Sequence, residues 1–418
     1  MTSICVLNTH ISRVCLLFTG FFLRGDQIIP RYEPTYSFTN IHKSLLRSLR
    51  EDRTVELEKR AREYFRVKHV FLLRSGKTCL YTILRAYNRP GKVLMPAYNC
   101  ADVPEAAVFA GYSPYFLDAD ISTLNVPWQR FEEAISEDVT AIIAISVLGV
   151  PYDVRPIMEI TKKKGILLIE DAASAMGSRI DGQLTGTIGD VGVVSFQDTK
   201  PLAAKTGGLI LTNDDDLAQK ISVILQDVET QRRIWKFYFA SLFRKLATRR
   251  WLYPYTLAVY KAVYGEATYE IVTAPDQPVA EYFRKCSPFS VELLLNQWDA
   301  FENNIERRQR IASIYQQGLE NHSAFTIPNV QLGIQPAWIQ FPLLVRNKQD
   351  FYHYMQRHGV DTTWTYRYTC AEEFGQKDCP NAEKIARSIV SLPCYPDLKE
   401  SEAREVCRIA SEYIEGAG

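Results

Sequence analysis

The stretch "VTAIIAISVLGVPYDVRPIMEITKKKGILLIEDAAS" (139–174) decides the fold. It opens with an apolar run, "VTAIIAISVLG", too continuous for a strand with one wet face and of the kind that buried parallel strands show. A helix follows over "RPIMEITKKKG" (155–165), ending at glycine. "ILLIEDAAS" (166–174) is then a second buried strand, with acids at its C-terminal end. Two apolar strands joined by a helix are the grammar of a mainly parallel sheet flanked by helices, an α/β fold.

The same grammar runs outward in both directions. Upstream, "VKHVFLLRSGKTCLYTILRAY" (67–87) reads as a strand, a Ser-Gly turn and a helix, and "GKVLMPAYNCADVPEAAVFAG" (91–111) repeats the unit with a turn at Pro96. "YSPYFLDAD" (112–120) adds a strand and "PWQRFEEAIS" (127–136) a helix. Downstream, "VVSFQDTKPLAAKTGGLILTND" (193–214) is a strand, a polar turn carrying Lys200 and Lys205, two glycines, and a second apolar strand.

Ligands of parallel sheets sit beyond the carboxyl ends of the strands. Those ends carry Ser75-Gly76-Lys77-Thr78, Asp171 and, after a further strand, Lys200. A small-residue turn that opens a helix offers backbone N–H groups and a positive dipole end, which suit a phosphate. An aspartate at a strand end can hold a ring nitrogen protonated. A lysine in a partly buried pocket loses basicity and can form an imine with an aldehyde. Phosphate, pyridinium and aldehyde are the three handles of pyridoxal 5'-phosphate.

Composition bounds the alternatives. The chain has 418 residues, enough for two domains, and its 46% hydrophobic and 23% charged content is that of a globular protein. A net charge of +1 gives no bias toward nucleic acid. Nine cysteines without a C-x-x-C pair, and six histidines without metal-ligand spacing, read as reduced thiols of a cytoplasmic protein with no metal. Neither G-x-G-x-x-G nor G-x-x-x-x-G-K-[ST] occurs, which weakens a nucleotide-binding reading. "RVCLLFTGFFLRG" (13–25) resembles the start of a signal peptide but lacks a small-x-small cleavage site and is too short to span a bilayer. Residues 1–27 are therefore read as an N-terminal extension without fixed structure.

The order and spacing of these motifs resemble the DegT/DnrJ/EryC1/StrS family of sugar aminotransferases, of fold type I. "SFQDTKPLAAKTGGLILTND" (195–214) is similar to that family's Ser-Phe-x-x-x-Lys segment, and "LLIEDAASAMGSRIDGQLTGTIGDVGVVSF" (167–196) to its acidic strand end and Gly-Asp-x-Gly run. "MPAYNCADVPEAAVFAGYSPYFLDAD" (95–120), "CSPFSVELLLNQWDAFENNIERRQRIASIY" (286–315) and "SLPCYPDL" (391–398) resemble further segments, so the likeness covers about 28–230 and 284–418. The resemblance implies a large cofactor-binding domain over 28–265 and a smaller C-terminal α/β domain over 266–418. It also implies a homodimer and transfer of an amino group, from a donor such as glutamate, to a keto group of a nucleotide-linked sugar.

Carried over residue by residue, the resemblance makes Lys200 the Schiff-base lysine and Asp171 the partner of the pyridine nitrogen. Gly76, Lys77 and Thr78, with Ser195, would bind the phosphate, and Ser174 falls where the family commonly has Gln or His. Cys100 falls where many members stack an aromatic on the ring, with Tyr98 able to supply that face. Trp364, Tyr366 and Arg367 in "TTWTYRYT" (362–369) are candidate substrate contacts, with domain packing an equal reading. The family's Gly-Glu-Gly-Gly turn is here Lys205-Thr206-Gly207-Gly208, which leaves a catalytically silent, cofactor-binding regulatory or assembly protein as the alternative. A dehydratase branch with histidine for the lysine is disfavoured.

One segment lies outside the likeness. "RRIWKFYFASLFRKLATRRWLYPYTLAVYKAVYG" (232–265) holds ten aromatics and no acid. A basic, aromatic helix of this kind suits an anionic membrane surface or a lipid-linked substrate. The plainer reading packs its aromatics in a dimer interface or core and leaves the basic residues solvated.

Overall fold

The computed structural model describes residues 28–264, 283–320, 322–364 and 366–414. The extension read over 1–27 and the domain boundary read at 265/266 lie outside the described residues.

The central sheet has seven strands: β1 (His69–Leu73), β2 (Lys92–Pro96), β3 (Ser113–Leu117), β4 (Val139–Ile145), β5 (Leu167–Asp171), β8 (Val191–Ser195) and β9 (Gly208–Thr212). Their spatial order is β1-β9-β8-β5-β4-β2-β3. β2 pairs in parallel with β3 and β4, β4 with β5, and β5 with β8. β9 is antiparallel to both β8 and β1. Two reversals restore direction, so β1 points the same way as the parallel strands and only β9 runs against them. The mainly parallel α/β sheet expected from the 139–174 pattern is therefore present. Its consequence is that the carboxyl ends of β1, β2, β4, β5 and β8 open onto one edge.

Helices cover both faces because the strands are apolar on both sides. The helix Gly76–Tyr87 buries Cys79, Leu80, Ile83 and Leu84 against the sheet. Each such side chain contributes about 1.5–3 kcal/mol by leaving water. Ser75 caps it, accepting a bond from the Thr78 N–H, and Asn88 closes it in the left-handed conformation. The helix Arg155–Lys164, read from its pattern, is ended by Gly165 at φ 64°. On the other face, the helices Phe38–Ser48 and Pro288–Leu295 share a core with Leu72, Val194 and Leu209.

A second, three-stranded antiparallel sheet has the order β10-β12-β13, from β10 (Phe325–Thr326), β12 (Phe341–Val345) and β13 (Ile389–Leu392). The helices Phe301–Leu319 and Glu400–Ser411 contribute Tyr315 and Val406 to its core beside Phe341 and Phe351. Short strands β6 (Arg179–Ile180), β7 (Gln183–Leu184) and β11 (Ile334–Gln335) tie the two parts together. So does Arg31, whose Nε donates to Asp361 at 2.5 Å.

The basic, aromatic segment forms the helices Ile234–Ala247 and Tyr253–Tyr264. Phe237 packs into the core, while Trp235, Phe239 and Phe243, four residues apart, are 54%, 60% and 69% exposed. Its cations are largely used internally. Lys245 bonds Glu33 at 2.7 Å, Arg244 lies 3.4 Å and Arg249 3.8 Å from the acids Asp198 and Glu33. Arg250 reaches Glu402, and Lys261 bonds Gln356. Among the described residues no helix is long and apolar enough to cross a membrane.

Candidate active site

A cavity opens at the shared carboxyl edge of the sheet, and its walls come from the ends of the parallel strands. The turn after β1 supplies Ser75, Gly76 and Lys77; the turn after β2 supplies Asn99 and Cys100. β4 is followed by Ser146, β5 ends in Asp171 with Ser174 just beyond, and β8 ends in Ser195. Lys200 and Gln197 enter from the polar turn after β8, and Tyr366 from the smaller sheet's side. Asp171 pairs with Val193, and Ser195 with Gly208, so the ladder itself fixes how far each side chain stands from its neighbours.

Lys200 Nζ donates to Ser174 Oγ at 2.9 Å. Loss of water around the amine pushes its pKa down, with Asp171 and then Cys100 acting in the opposite sense. The Asp171 carboxyl is 4% exposed as a residue and is pushed up by burial; the Ala173 N–H, at 2.9 Å from Oδ1, and Lys200 counter that. Burial thus drives the base and the acid toward their neutral forms, while each charge supports the other. The Cys100 thiol is pushed up to about 11, first by burial and then by Asp102. It therefore stays a thiol at neutral pH and offers no nucleophile.

Nine of the residues singled out in the sequence line this cavity: Ser75, Gly76, Lys77, Cys100, Asp171, Ser174, Ser195, Lys200 and Tyr366. The Lys77 ammonium turns aside to Asp102, at 3.2 Å, and Glu105, so only its backbone faces the turn. Thr78 is fully buried behind Ser75, whose hydroxyl accepts its N–H at 3.2 Å. Tyr98 is also fully buried and is not in the wall; its hydroxyl donates to the Tyr366 carbonyl, and its ring meets that of Tyr366 edge-on. Trp364 and Arg367 line a different cleft, between the helices Lys348–Arg357 and Pro380–Ser388.

Sequence reasoning missed Asn99, Ser146 and Gln197 as lining residues. Ser146 could have been found, because it directly follows β4, closer than Ser174 follows β5, and the rule of strand carboxyl ends applies to both. The turn after Lys200 is also explained: Lys205 pairs with Asp198, and the Thr206 hydroxyl donates to Ser290 at 2.9 Å. The departure from Gly-Glu-Gly-Gly is therefore absorbed by internal partners.

Known proteins resemble this chain in sequence and in fold. A model of the DegT/DnrJ/EryC1/StrS aminotransferase family matches residues 37–410. The GDP-perosamine synthase of Caulobacter vibrioides is 34% identical over 184 residues, which is 43% of this chain and 50% of that protein. The UDP-4-amino-4,6-dideoxy-N-acetyl-beta-L-altrosamine transaminase of Campylobacter jejuni is 23% identical over 89% of this chain and 95% of its own length. Among solved structures, a DegT/DnrJ/EryC1/StrS aminotransferase from Brucella abortus superposes with a TM-score of 0.70 at 23% identity. That superposition covers 89% of this chain and 94% of the other, a likeness of fold.

Proposed function

We propose that this chain, which belongs to the DegT/DnrJ/EryC1/StrS aminotransferase family, transfers an amino group from an amino acid such as glutamate to a keto group of a nucleotide-linked sugar. The cofactor we assign is pyridoxal 5'-phosphate, in the cavity around Lys200. One observation carries the reading: an amine held below its ordinary pKa and a carboxyl buried at a strand end face the same cavity, beside a capped helix start. The residues fit the group. The approach of Gly208 to the backbone of Ser75 and Gly76, closer than any side chain would allow, keeps the helix start open to a phosphate.

When bound, pyridoxal phosphate supplies an aldehyde carbon and a pyridinium ring able to accept electrons. Lys200 Nζ, lowered in basicity, would hold the aldehyde end of the cofactor and would move a proton at the substrate carbon. Asp171 would hold a proton on the ring nitrogen through a charge-assisted bond in a site that excludes water. The Gly76 and Lys77 amides and the Ser195 hydroxyl would hold the phosphate. Ser174, already bonded to Lys200, would orient the amine. Tyr366 is the substrate contact we retain from the C-terminal motif.

The partner we assign is a second copy of the chain, on the exposed face of Trp235, Phe239 and Phe243. That face is joined to the cavity through Arg244 and Asp198, two residues before Lys200. Five of its segment's cations are tied within the chain, which favours an apolar partner over anionic lipid.

The test is an absorption spectrum of the purified protein with added pyridoxal phosphate, before and after borohydride, beside Lys200→Ala. The expected result is a visible band that borohydride bleaches, with the label mapped to Lys200 and absent from the variant. In the unreduced protein, glutamate should remove the band and a keto nucleotide-sugar restore it. A label on another lysine, or no band, overturns the cofactor assignment; a band that no amino acid alters overturns the transfer.

A further inference from the structure

The cleft that holds Trp364 and Arg367 is a cavity of about 530 Å³, away from the Lys200 cavity. Four cationic side chains line it, Arg346, Lys348, Arg367 and Arg387, and no acidic residue does so among the described residues. Two of them are brought together by one ring: the Arg367 guanidinium lies 3.7 Å from the Trp364 centroid, and Lys348 Nζ 5.6 Å from it. Lys348 is only 8% exposed and donates to the Ala386 carbonyl at 3.0 Å. Trp364 is likewise 8% exposed, and its indole N–H has no acceptor among the described residues.

Each of these is a cost in isolation. Like charges gathered at one open cleft repel, with the Arg387 charge partly offset by Glu383 at 3.2 Å, and a buried donor without an acceptor forfeits its bond to water. Burial, and after it the Arg367 charge, push Lys348 down to about 7. One kind of occupant offsets all of these costs together: a multiply charged anion with several acceptor oxygens, which guanidinium groups bind in a forked geometry. The volume exceeds what a single phosphate fills and falls within the range of small-molecule sites, about 300–1,000 Å³.

We propose that the cleft formed by Arg346, Lys348, Trp364, Arg367 and Arg387 is a binding site for a phosphorylated anion of two or more charges, a diphosphate in its simplest form. The inference stands on the cleft's own chemistry and does not require the reading of the Lys200 cavity. Two sources offer that anion. Tyr366 lines the first cavity and Arg367, the next residue, the second. The diphosphate of a nucleotide-linked substrate in the first cavity is therefore one source, and a separate phosphorylated molecule is the other.

The experiment uses the full chain loaded with pyridoxal phosphate and then dialysed free of excess, so that a phosphate site in the first cavity is filled and no free cofactor competes at the second. Inorganic diphosphate and UDP are titrated by calorimetry and by tryptophan emission. Both should bind saturably and change the emission. Arg367→Glu with Arg387→Glu should weaken binding at least tenfold; both side chains are exposed, and the Gln pair replaces them if reversal prevents folding. Trp364→Phe should abolish the emission change while calorimetric binding persists. If the arginine pair also raises KM for the nucleotide-sugar at unchanged kcat, the substrate's diphosphate is the occupant. If KM is unchanged while UDP binding is lost, the occupant is a separate molecule. No saturable binding of either probe, or binding that both paired variants leave intact, overturns the site.

Discussion

Replacing Gly208 by alanine tests whether the fold, rather than the loop sequence, holds the helix start at the cavity. Gly208 opens β9 and pairs with Ser195 on one side and Leu73 on the other, so the strand cannot shift freely. A Cβ there would stand 2.6 Å from the Ser75 carbonyl carbon, 2.7 Å from the Gly76 nitrogen and 2.8 Å from the Ser75 oxygen. All three atoms are backbone, and each distance falls short of ordinary contact by more than half an ångström. Relief requires moving the turn, which also carries the Ser75 cap on Thr78. Overpacking costs about 1–3 kcal/mol and a lost cap about 1 kcal/mol, so Gly208→Ala should lose roughly 2–4 kcal/mol. Gly76→Ala is the control, since its Cβ would meet only Ser195 Cβ at 3.7 Å and Val193 Cγ1 at 3.8 Å. Its helical position should make it neutral or stabilising by about 0.4–1 kcal/mol through the unfolded chain. Urea unfolding, with pyridoxal phosphate titration of both variants, reads the contrast. Equal midpoints for Gly208→Ala and wild type, with equal cofactor affinity, would refute the reasoning.

Lys348 makes stability depend on pH with a definite sign. Between about 7 and its ordinary 10.5 the unfolded chain keeps the Lys348 proton and the native chain has lost it, so stability rises with pH across that window. Urea unfolding of wild type and Lys348→Met should show the variant's relative advantage shrinking from pH 7 to 9.5, by an amount on the order of a few kcal/mol; a pH-independent difference contradicts the shift. For the exposed aromatic face, Phe239→Ser with Phe243→Ser should convert a dimer to a monomer in sedimentation velocity, without loss of helical circular dichroism. An unchanged dimer, together with lost binding to anionic vesicles, assigns the face to lipid instead.

The fold was legible wherever one physical demand governed a segment. Val139–Ile145 and Leu167–Asp171 are buried at nearly every position, and runs of that length with β-branched residues suit a strand covered on both faces. Asp171 was legible for a related reason, as a polar group at the end of one of those runs, and Lys200 as a lysine in the turn after a further strand, whereas Ser195 came only through the family resemblance. Distance in sequence hid other parts. That Tyr366 would reach the cavity while Trp364 and Arg367 faced another cleft depends on how the smaller sheet packs, and no local pattern carries that. Tyr98 was read as a ring face because an aromatic near the turn is the right chemistry, but burial of its ring leaves Cys100 in the wall instead. In 232–264 the charges looked solvated in one dimension. Their partners, Glu33, Asp198 and Glu402, come from three distant segments.

The spacing of the cavity's groups rests finally on strand register, because a slip of one residue would turn every side chain of β8 to the opposite face. Two contacts oppose such a slip. Glu170, next to Asp171 and pointing the other way, is 2% exposed and accepts the N–H groups of Ile188, at 2.9 Å, and Gly189, at 3.2 Å. Those amides belong to the loop that leads into β8, so the strand that ends in Asp171 also sets where the strand that ends in Ser195 begins. Gly192 supplies the second contact: a Cβ there would lie 1.9 Å from the Gly186 oxygen, so neither neighbour, Val191 or Val193, can take its place. A buried acid with no access to the cavity and a glycine with no side chain therefore determine whether Asp171, Ser195 and, five residues later, Lys200 converge. Substitutions at Glu170 or Gly192 should consequently disable the site without touching it, by loss of register rather than of chemistry.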